Sequence, residues 1–174
     1  MNKHICKAKV TSSPYGKKPG DWVYGYYVAL PDEHTYGKDI CHAIFSLDCE
    51  HVCMGEYKDW GWHKVDSDTV CRCTGWHDSY KTPIFERDVV EFTINSHKDR
   101  FLIWWNNEMS MLTAIPLDGI QFNGWDYWNG KYPQFEYSTF CFMMQDPYGD
   151  FSDIKVIGNI IDNTELMEVQ NESK

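Results

Sequence analysis

The chain has 174 residues, a formal net charge of −10 and 16% aromatic residues, with eight Trp, eleven Tyr and nine Phe. That length supports one domain, or two small lobes sharing a core, without help from disulfides or structural metal. The acidic balance argues against non-specific binding to nucleic acid, which needs a positive surface, but leaves room for a local basic patch or for an acidic surface that imitates nucleic acid.

No apolar core follows the first residues, Met1 to Lys7, as a secretory signal would require, and no run approaches the ~20 apolar residues of a membrane helix. A cytoplasmic protein is therefore expected. Its seven cysteines read as reduced thiols, and an odd number cannot all pair within one chain.

In chain order, His4 to Thr11 reads as a first strand. Ser12 to Asp21 is a loop carrying two prolines and two glycines. Trp22 to Leu30 is a second strand. It places Trp22, Tyr24 and Tyr26 on one face and Val23, Gly25, Tyr27 and Ala29 on the other, so packing on both faces is expected. Pro31 to Lys38 is a polar turn. Asp39 to Leu47 and His51 to Glu56 are shorter β-like runs, and Trp60 to Val65 leads into a central hairpin.

In that hairpin Asp68 to Cys73 forms a strand with Cys71 and Cys73 on one face and Arg72 on the other. Thr74-Gly75 ends it, and Trp76 to Thr82 is a polar loop. Pro83 reopens an extended chain. Ile84 to Thr93 is rich in β-branched and aromatic residues and reads as the second strand.

Asn95 to Arg100 is a turn, Phe101 to Trp105 a strand, and Met109 to Leu117 another. Closely spaced strands and turns point to an all-β barrel or sandwich. Residues 84 to 117 are expected to supply the curved strands of an SH3-like barrel. The stretch from 119 to 153 changes character, with few aliphatics and many aromatics among Asn and Gly, and reads as an elaboration. Lys155 to Ile161 is the last strand. Asp162 or Asn163 then caps a short helix to about Val169, with Asp162 and Glu165 spaced as a capping box. A polar tail follows.

Three phrases of the hairpin carry a resemblance: Val65-Asp66-x-x-Thr69-Val70, Thr74-Gly75, and Ile84-Phe85-Glu86-x-Asp88-Val89-Val90. With Trp22-Val23-x-Gly25-Tyr26 before them and Ile157-Gly158-Asn159-Ile160-x-x-Asn163-x-x-Leu166 after, they resemble the YopX family of bacteriophage and prophage proteins, in the family's order and over most of the chain. The resemblance implies one β-rich domain over residues 1–174 and an origin in a mobile element, hence a bacterial host cytoplasm. It implies no catalytic residues. Lys81 and Arg87 stand where the resemblance leads one to expect turn glycines. If the backbone there has positive φ, each costs roughly 1 kcal/mol.

Several constellations hold residue types that can carry chemistry. Cys41-His42, Cys49-x-His51-x-Cys53, His63 and Cys71-x-Cys73 hold residues that zinc favours, with Cys49, Cys53, Cys71 and Cys73 as the candidate set. The usual two-residue spacing between cysteines is missing, so no cofactor is expected and buried thiols are the favoured reading. Cys53 beside His51 is the best-placed thiol for nucleophilic catalysis, whereas Cys141 sits between aromatics. Asp66, Asp68, Glu86, Asp88 and Glu91 surround the hairpin and could serve as an acid/base pair. In so acidic a chain, local backbone hydrogen bonding explains them better. No phosphate-binding glycine loop, nucleotide fingerprint, nucleophile elbow or His-Glu-x-x-His occurs.

The aromatic segment is the most suggestive feature. Trp125, Tyr127, Trp128 and Tyr132 would anchor a partner if exposed, since binding hot spots favour Trp and Tyr. Folded back, they would form a satellite core. The resulting expectation is a phage- or prophage-encoded accessory protein that acts by binding. It would modulate a host protein such as a defence or nucleic-acid-processing enzyme, with no membrane partner. A nucleic-acid-binding module is the first alternative, resting on Lys7, Lys9, Lys17 and Lys18. A metal-dependent enzyme is the second.

Overall fold

The computed structural model describes residues 5–31, 40–46, 61–94, 97–107, 111–117, 121–122, 125–126 and 151–167. The chain is mainly β and divides into two compact units, Met1–Cys73 and Thr74–Lys174.

The first unit holds β1 (Ile5–Ser12), β2 (Trp22–Pro31), β3 (Ile40–Ser46) and β4 (Trp62–Val65). A 3-10 turn (Ser67–Thr69) follows, then the start of β5 (Cys71–His77). All pairings are antiparallel. β1 pairs with β2, β2 with β3, β3 with β4, and β4 returns to β1, closing a four-stranded ring. The start of β5 adds to β1, with Cys6 opposite Arg72 and Lys7 opposite Cys71.

Alternation explains the interior. Every second residue points inward, and Ala8, Val10, Val23, Ile44 and Val65 fill the ring, flanked by Cys6, Tyr27 and Val70. Closing so few strands demands sharp bending. Gly25 meets that demand, because a Cβ there would overlap the backbone carbonyl of Phe45 on the adjacent strand. The β1–β4 ladder also shifts register between Val10 and Ser12, a bulge that re-aims β1.

The second unit takes the rest of β5, followed by β6 (Pro83–Phe85), β7 (Asp88–Ile94), β8 (His97–Asn106), β9 (Met111–Pro116), β10 (Gln121–Phe122), β11 (Trp125–Asp126) and β12 (Phe151–Asn159). Its main sheet runs in the order β12-β7-β8-β9. Both faces are packed. Val90, Phe92, Phe101, Ile103, Leu112 and Ala114 join Ile84 in one cluster, while Val89, Leu102 and Leu117 form another with Ile157, Ile160 and Leu166. Phe92 and Phe101 meet edge to face at 5.2 Å.

Three expectations are corrected here. The ring that closes lies in the first unit, and the strands of 84–117 instead join the sheet of the second. Thr74-Gly75 does not end a strand, since β5 runs on to His77 with Gly75 at φ 83°. The strand expected over 84–93 is two strands separated by a turn at Glu86-Arg87. The short C-terminal helix is present as a 3-10 helix, Thr164–Met167. Its first carbonyl partner comes from Asn163, which accepts Leu166 N–H at 3.1 Å.

Candidate binding face

Among the described residues, several of those singled out for metal or nucleophilic chemistry are engaged by the fold. Cys71 and Cys73 are buried free thiols, and Cys71 Sγ lies 3.4 Å from the Thr69 carbonyl. Cys49, His51, Cys53 and Cys141 lie outside the described residues. Among the described residues no group of three or more His, Cys, Asp or Glu is placed to hold a metal ion.

His63 is buried on β4. The Ser13 hydroxyl accepts the Tyr15 N–H at 3.0 Å and is hydrogen bonded to His63 Nδ1 at 2.8 Å, as donor or acceptor according to the imidazole tautomer. Burial, reinforced by the Lys17 ammonium, holds His63 below the ordinary histidine value and so favours the neutral form. The Tyr15 ring meets the imidazole edge-on at 5.9 Å. The arrangement fastens the β1–β2 loop to the ring. His42 is engaged likewise, its Nδ1 2.6 Å from the Tyr27 hydroxyl and its ring stacked on Tyr27 at 6.0 Å. Burial first, and Cys6 second, raise the Tyr27 hydroxyl above the usual phenol range.

The acidic candidates are structural where the chain shows them. Asp66 caps the 3-10 turn, accepting Asp68 N–H at 3.0 Å. Asp88, almost fully buried, accepts Phe85 N–H at 2.7 Å through Oδ2 and the Asn159 side-chain amide at 2.8 Å through Oδ1. It thereby pins the Glu86-Arg87 turn to the end of β12. Glu91 pairs with Lys98 at 2.6 Å on the surface, a contact worth little to stability.

Asp78, which the sequence reading did not single out, organises the loop between β5 and β6. Its Oδ1 accepts Tyr80 and Thr82 N–H at 2.9 and 2.8 Å, and its Oδ2 accepts Val156 N–H at 3.1 Å. Burial alone would raise this carboxyl, but the hydrogen bonds from Val156, Thr82 and Tyr80 outweigh it and hold the group below the usual carboxylate value. Lys81 in this loop has φ 68° and Arg87 in the next turn φ 67°, so both positions have the left-handed backbone that glycine favours.

The expected partner anchors are only partly described. Trp125 stands on β11 opposite Phe122 of β10, while Tyr127, Trp128 and Tyr132 lie outside the described residues.

A different aromatic surface emerges on the first unit. Antiparallel partners point to the same side of a sheet. With the inward set fixed by the core, the alternate residues lie on the other side: Lys9 and the buried Lys7 on β1, Trp22, Tyr24 and Tyr26 on β2, Phe45 on β3, and Trp62 and Lys64 on β4. The register places Lys9 opposite Trp22 and Lys7 opposite Tyr24, and it lines up Tyr26, Phe45 and Trp62 across three strands. Tyr24, Tyr26 and Trp62 are 40%, 39% and 41% exposed, so β2 is not packed on both faces as expected. Lys9 Nζ lies 4.4 Å and Lys7 Nζ 5.0 Å from the centroid of the Trp22 ring.

Charge is divided along the chain. The first unit carries nine basic residues against ten acidic, and the second seven against sixteen. Among the described residues of the first unit, six are basic (Lys7, Lys9, Lys17, Lys18, Lys64 and Arg72) and three acidic (Asp21, Asp66 and Asp68). Of these, Lys9 and Lys64 alternate onto the side of the exposed rings, while Lys17 and Lys18 lie in the β1–β2 loop. The sequence signal for the face was the alternation Trp22-x-Tyr24-x-Tyr26, whose outward direction only ring closure reveals.

Among the described residues no helix is long and apolar enough to cross a membrane. The sequence matches no family model, and neither a curated protein nor a solved structure matches it.

Proposed function

We propose that this protein is a phage- or prophage-encoded accessory factor that acts by binding, modulating a host defence or nucleic-acid-processing enzyme. The outward face of the β1–β4 ring is its binding surface. The observation that carries the reading is the row Tyr26, Phe45 and Trp62 across adjacent strands, with Tyr24 and Trp22 beside it and two lysines over the Trp22 ring. Exposed Trp and Tyr held on a rigid sheet lose little side-chain entropy on binding and offer large contact areas. The mobile-element origin is supported by the YopX resemblance. Positive φ at Lys81 and Arg87, where that resemblance leads one to expect glycine, agrees with it.

The test is affinity capture from bacterial host lysate, with and without nuclease, comparing three proteins: wild type, Tyr24→Ala with Trp62→Ala, and Trp125→Ala with Trp128→Ala. The first double variant should lose whatever the wild type retains, while its thermal stability stays within about 0.5 kcal/mol, as for surface substitutions generally. Retention of the same partner by a folded Tyr24→Ala/Trp62→Ala protein would refute the assignment. Loss confined to the Trp125→Ala/Trp128→Ala protein would move the surface to the second unit.

A further inference from the structure

The β1–β2 loop is held to the ring at its base and at its tip. At the base the Val10 N–H donates to the Asp21 carbonyl and the Gly20 N–H to the Val10 carbonyl, both at 2.9 Å. The turn at 18–21 closes on itself, with the Lys18 N–H on Asp21 Oδ2 at 2.8 Å and the Asp21 N–H on the Lys18 carbonyl at 3.0 Å. At the tip, residues 13–17 meet His63 of β4, through the Ser13 hydroxyl at 2.8 Å and the edge of the Tyr15 ring at 5.9 Å. The Tyr15 N–H turns back to the same Ser13 hydroxyl at 3.0 Å, so this one hydroxyl joins the tip to the ring.

The imidazole is enclosed. His63 is 2% exposed, and alternation along β4 turns it to the same side as the core residue Val65, with Lys64 on the other. Its cross-strand partner on β3 is Ile44, and the residues of β1 paired with β4 are Val10 and Ser12, none of which titrates. The titratable groups that face it among the described residues come from the loop: the Tyr15 phenol and the Lys17 ammonium. Lys17 is the charge that acts on it most strongly, and it opposes a second positive charge.

Imidazole is the side chain whose charge ordinarily changes between about pH 5 and 8. When neutral it can share the hydrogen bond with Ser13 in either direction. When protonated, both ring nitrogens carry hydrogen, Nδ1 no longer accepts, and a charge is enclosed among apolar neighbours beside Lys17. Burial first, and Lys17 second, therefore hold the enclosed imidazole below its ordinary value. An imidazole given to solvent titrates near about 6.5. The closed tip is thus fully favoured above about pH 6.5 and loses up to about tenfold in population ratio per pH unit as pH falls from there toward the closed-state value. The hydrogen bonds of the base involve no imidazole, so they do not share this dependence.

We propose that His63 is an acid-sensitive latch for the β1–β2 loop: its neutral imidazole holds residues 13–17 against the end of the ring, and its protonation releases them while the base at Val10, Gly20 and Asp21 stays paired. Release gives the imidazole to water and uncovers that end of the ring interior. The latch works whatever the outward face of the ring binds.

The experiment is solution NMR on the full chain from about pH 8 to about pH 5.5, above the ordinary carboxylate range of about 4. The His63 ring protons report its titration, and cross-relaxation between the Tyr15 and His63 rings reports their contact. Exchange of the Tyr15 amide, corrected for its intrinsic pH dependence, reports the hydrogen bond to Ser13. His63 should titrate below about 6.5. The ring contact and the Tyr15 protection should fall together over the same interval, the protection by up to about tenfold per pH unit, while the Val10 and Gly20 amides keep theirs. His63→Gln, which cannot titrate, should remove the pH dependence at Tyr15. Lys17→Glu, a change at an exposed position, should move the release to lower pH and serves as the test if the glutamine variant does not fold. Titration of His63 at or above 6.5, or a ring contact that persists through the titration, would overturn the inference. Loss of protection at Val10 and Gly20 together with Tyr15 would mean that the unit opens and not the loop tip, and would overturn it as well. Acid release that neither variant alters would place the sensor elsewhere, with the same result.

Discussion

Replacing Asp78 with alanine tests how the second unit holds its β5–β6 loop. The carboxylate accepts three backbone N–H groups, from Tyr80, Thr82 and Val156. Tyr80 and Thr82 are exposed, so water can take over much of what those two donors lose, at about 1 kcal/mol each. Val156 lies within β12, where a replacement is harder to find, and its loss costs about 2 kcal/mol. Allowing for coupling among three bonds to one carboxylate, Asp78→Ala should destabilise the second unit by roughly 3 kcal/mol. Because the chain has two units, a single unfolding transition is an unsafe readout. Native-state amide exchange is the better assay, read at Val156 for the local effect and at Val90 and Phe101 for the unit as a whole.

The same substitution has a pH signature. A carboxyl whose folded value is depressed contributes stability that is fully present above its unfolded value of about 3.9 and is lost as pH falls through the folded value. The difference between wild type and Asp78→Ala should therefore be largest at neutral pH and shrink below about pH 4. An effect under 0.5 kcal/mol at pH 7, or a difference that does not change with acidification, would refute this account of the loop.

Three further outcomes are expected. Gly25→Ala should cost about 3 kcal/mol or more in the first unit, because the new Cβ meets a backbone carbonyl that no rotamer change can move; near-normal exchange protection of Ile44 in that variant would contradict it. Lys81→Gly should stabilise the second unit by about 0.5 kcal/mol, the relief of a left-handed φ minus the greater freedom of an unfolded glycine. A loss of similar size by urea titration would show that the Lys81 side chain matters more than its backbone. Asp88→Ala should cost about 3 kcal/mol, since it strands the Phe85 N–H and the Asn159 amide in a buried site; an unchanged urea midpoint would count against that clamp.

The early strands were legible to within a residue or two, because alternation survives wherever one side of a sheet is buried. The left-handed backbone at Lys81 and Arg87 was foreseen as a condition, and the structure meets it. The turn at Glu86-Arg87 was legible only through the resemblance, because no Gly, Pro or Asn marks it in the residues themselves. It is held by the Asp88 carboxylate and by Ile160 N–H donating to the Arg87 carbonyl, both contacts made by folding. Gly75 reads as a strand terminus by composition, yet its positive φ sits inside β5 as a local distortion. The outward direction of Tyr24 and Tyr26 was hidden for a different reason. Both faces of β2 are apolar in composition, so local pattern cannot rank them. Only the pairing of β4 with β1, residues far apart in sequence, decides which face is enclosed.

That last point bears on where function should be sought. Among the described residues, Cys71 and Cys73 are buried, His42 and His63 are tied to Tyr27 and Ser13, and Asp66, Asp78 and Asp88 hold turns. Each of these chemistry-bearing groups has a role that the fold itself explains. The outward rings of the first unit lie beyond its filled interior of Ala8, Val10, Val23, Ile44 and Val65, and Tyr24, Tyr26 and Trp62 are 40%, 39% and 41% exposed. Exposed rings of that size on a rigid sheet are the surface on which a search for a partner should start.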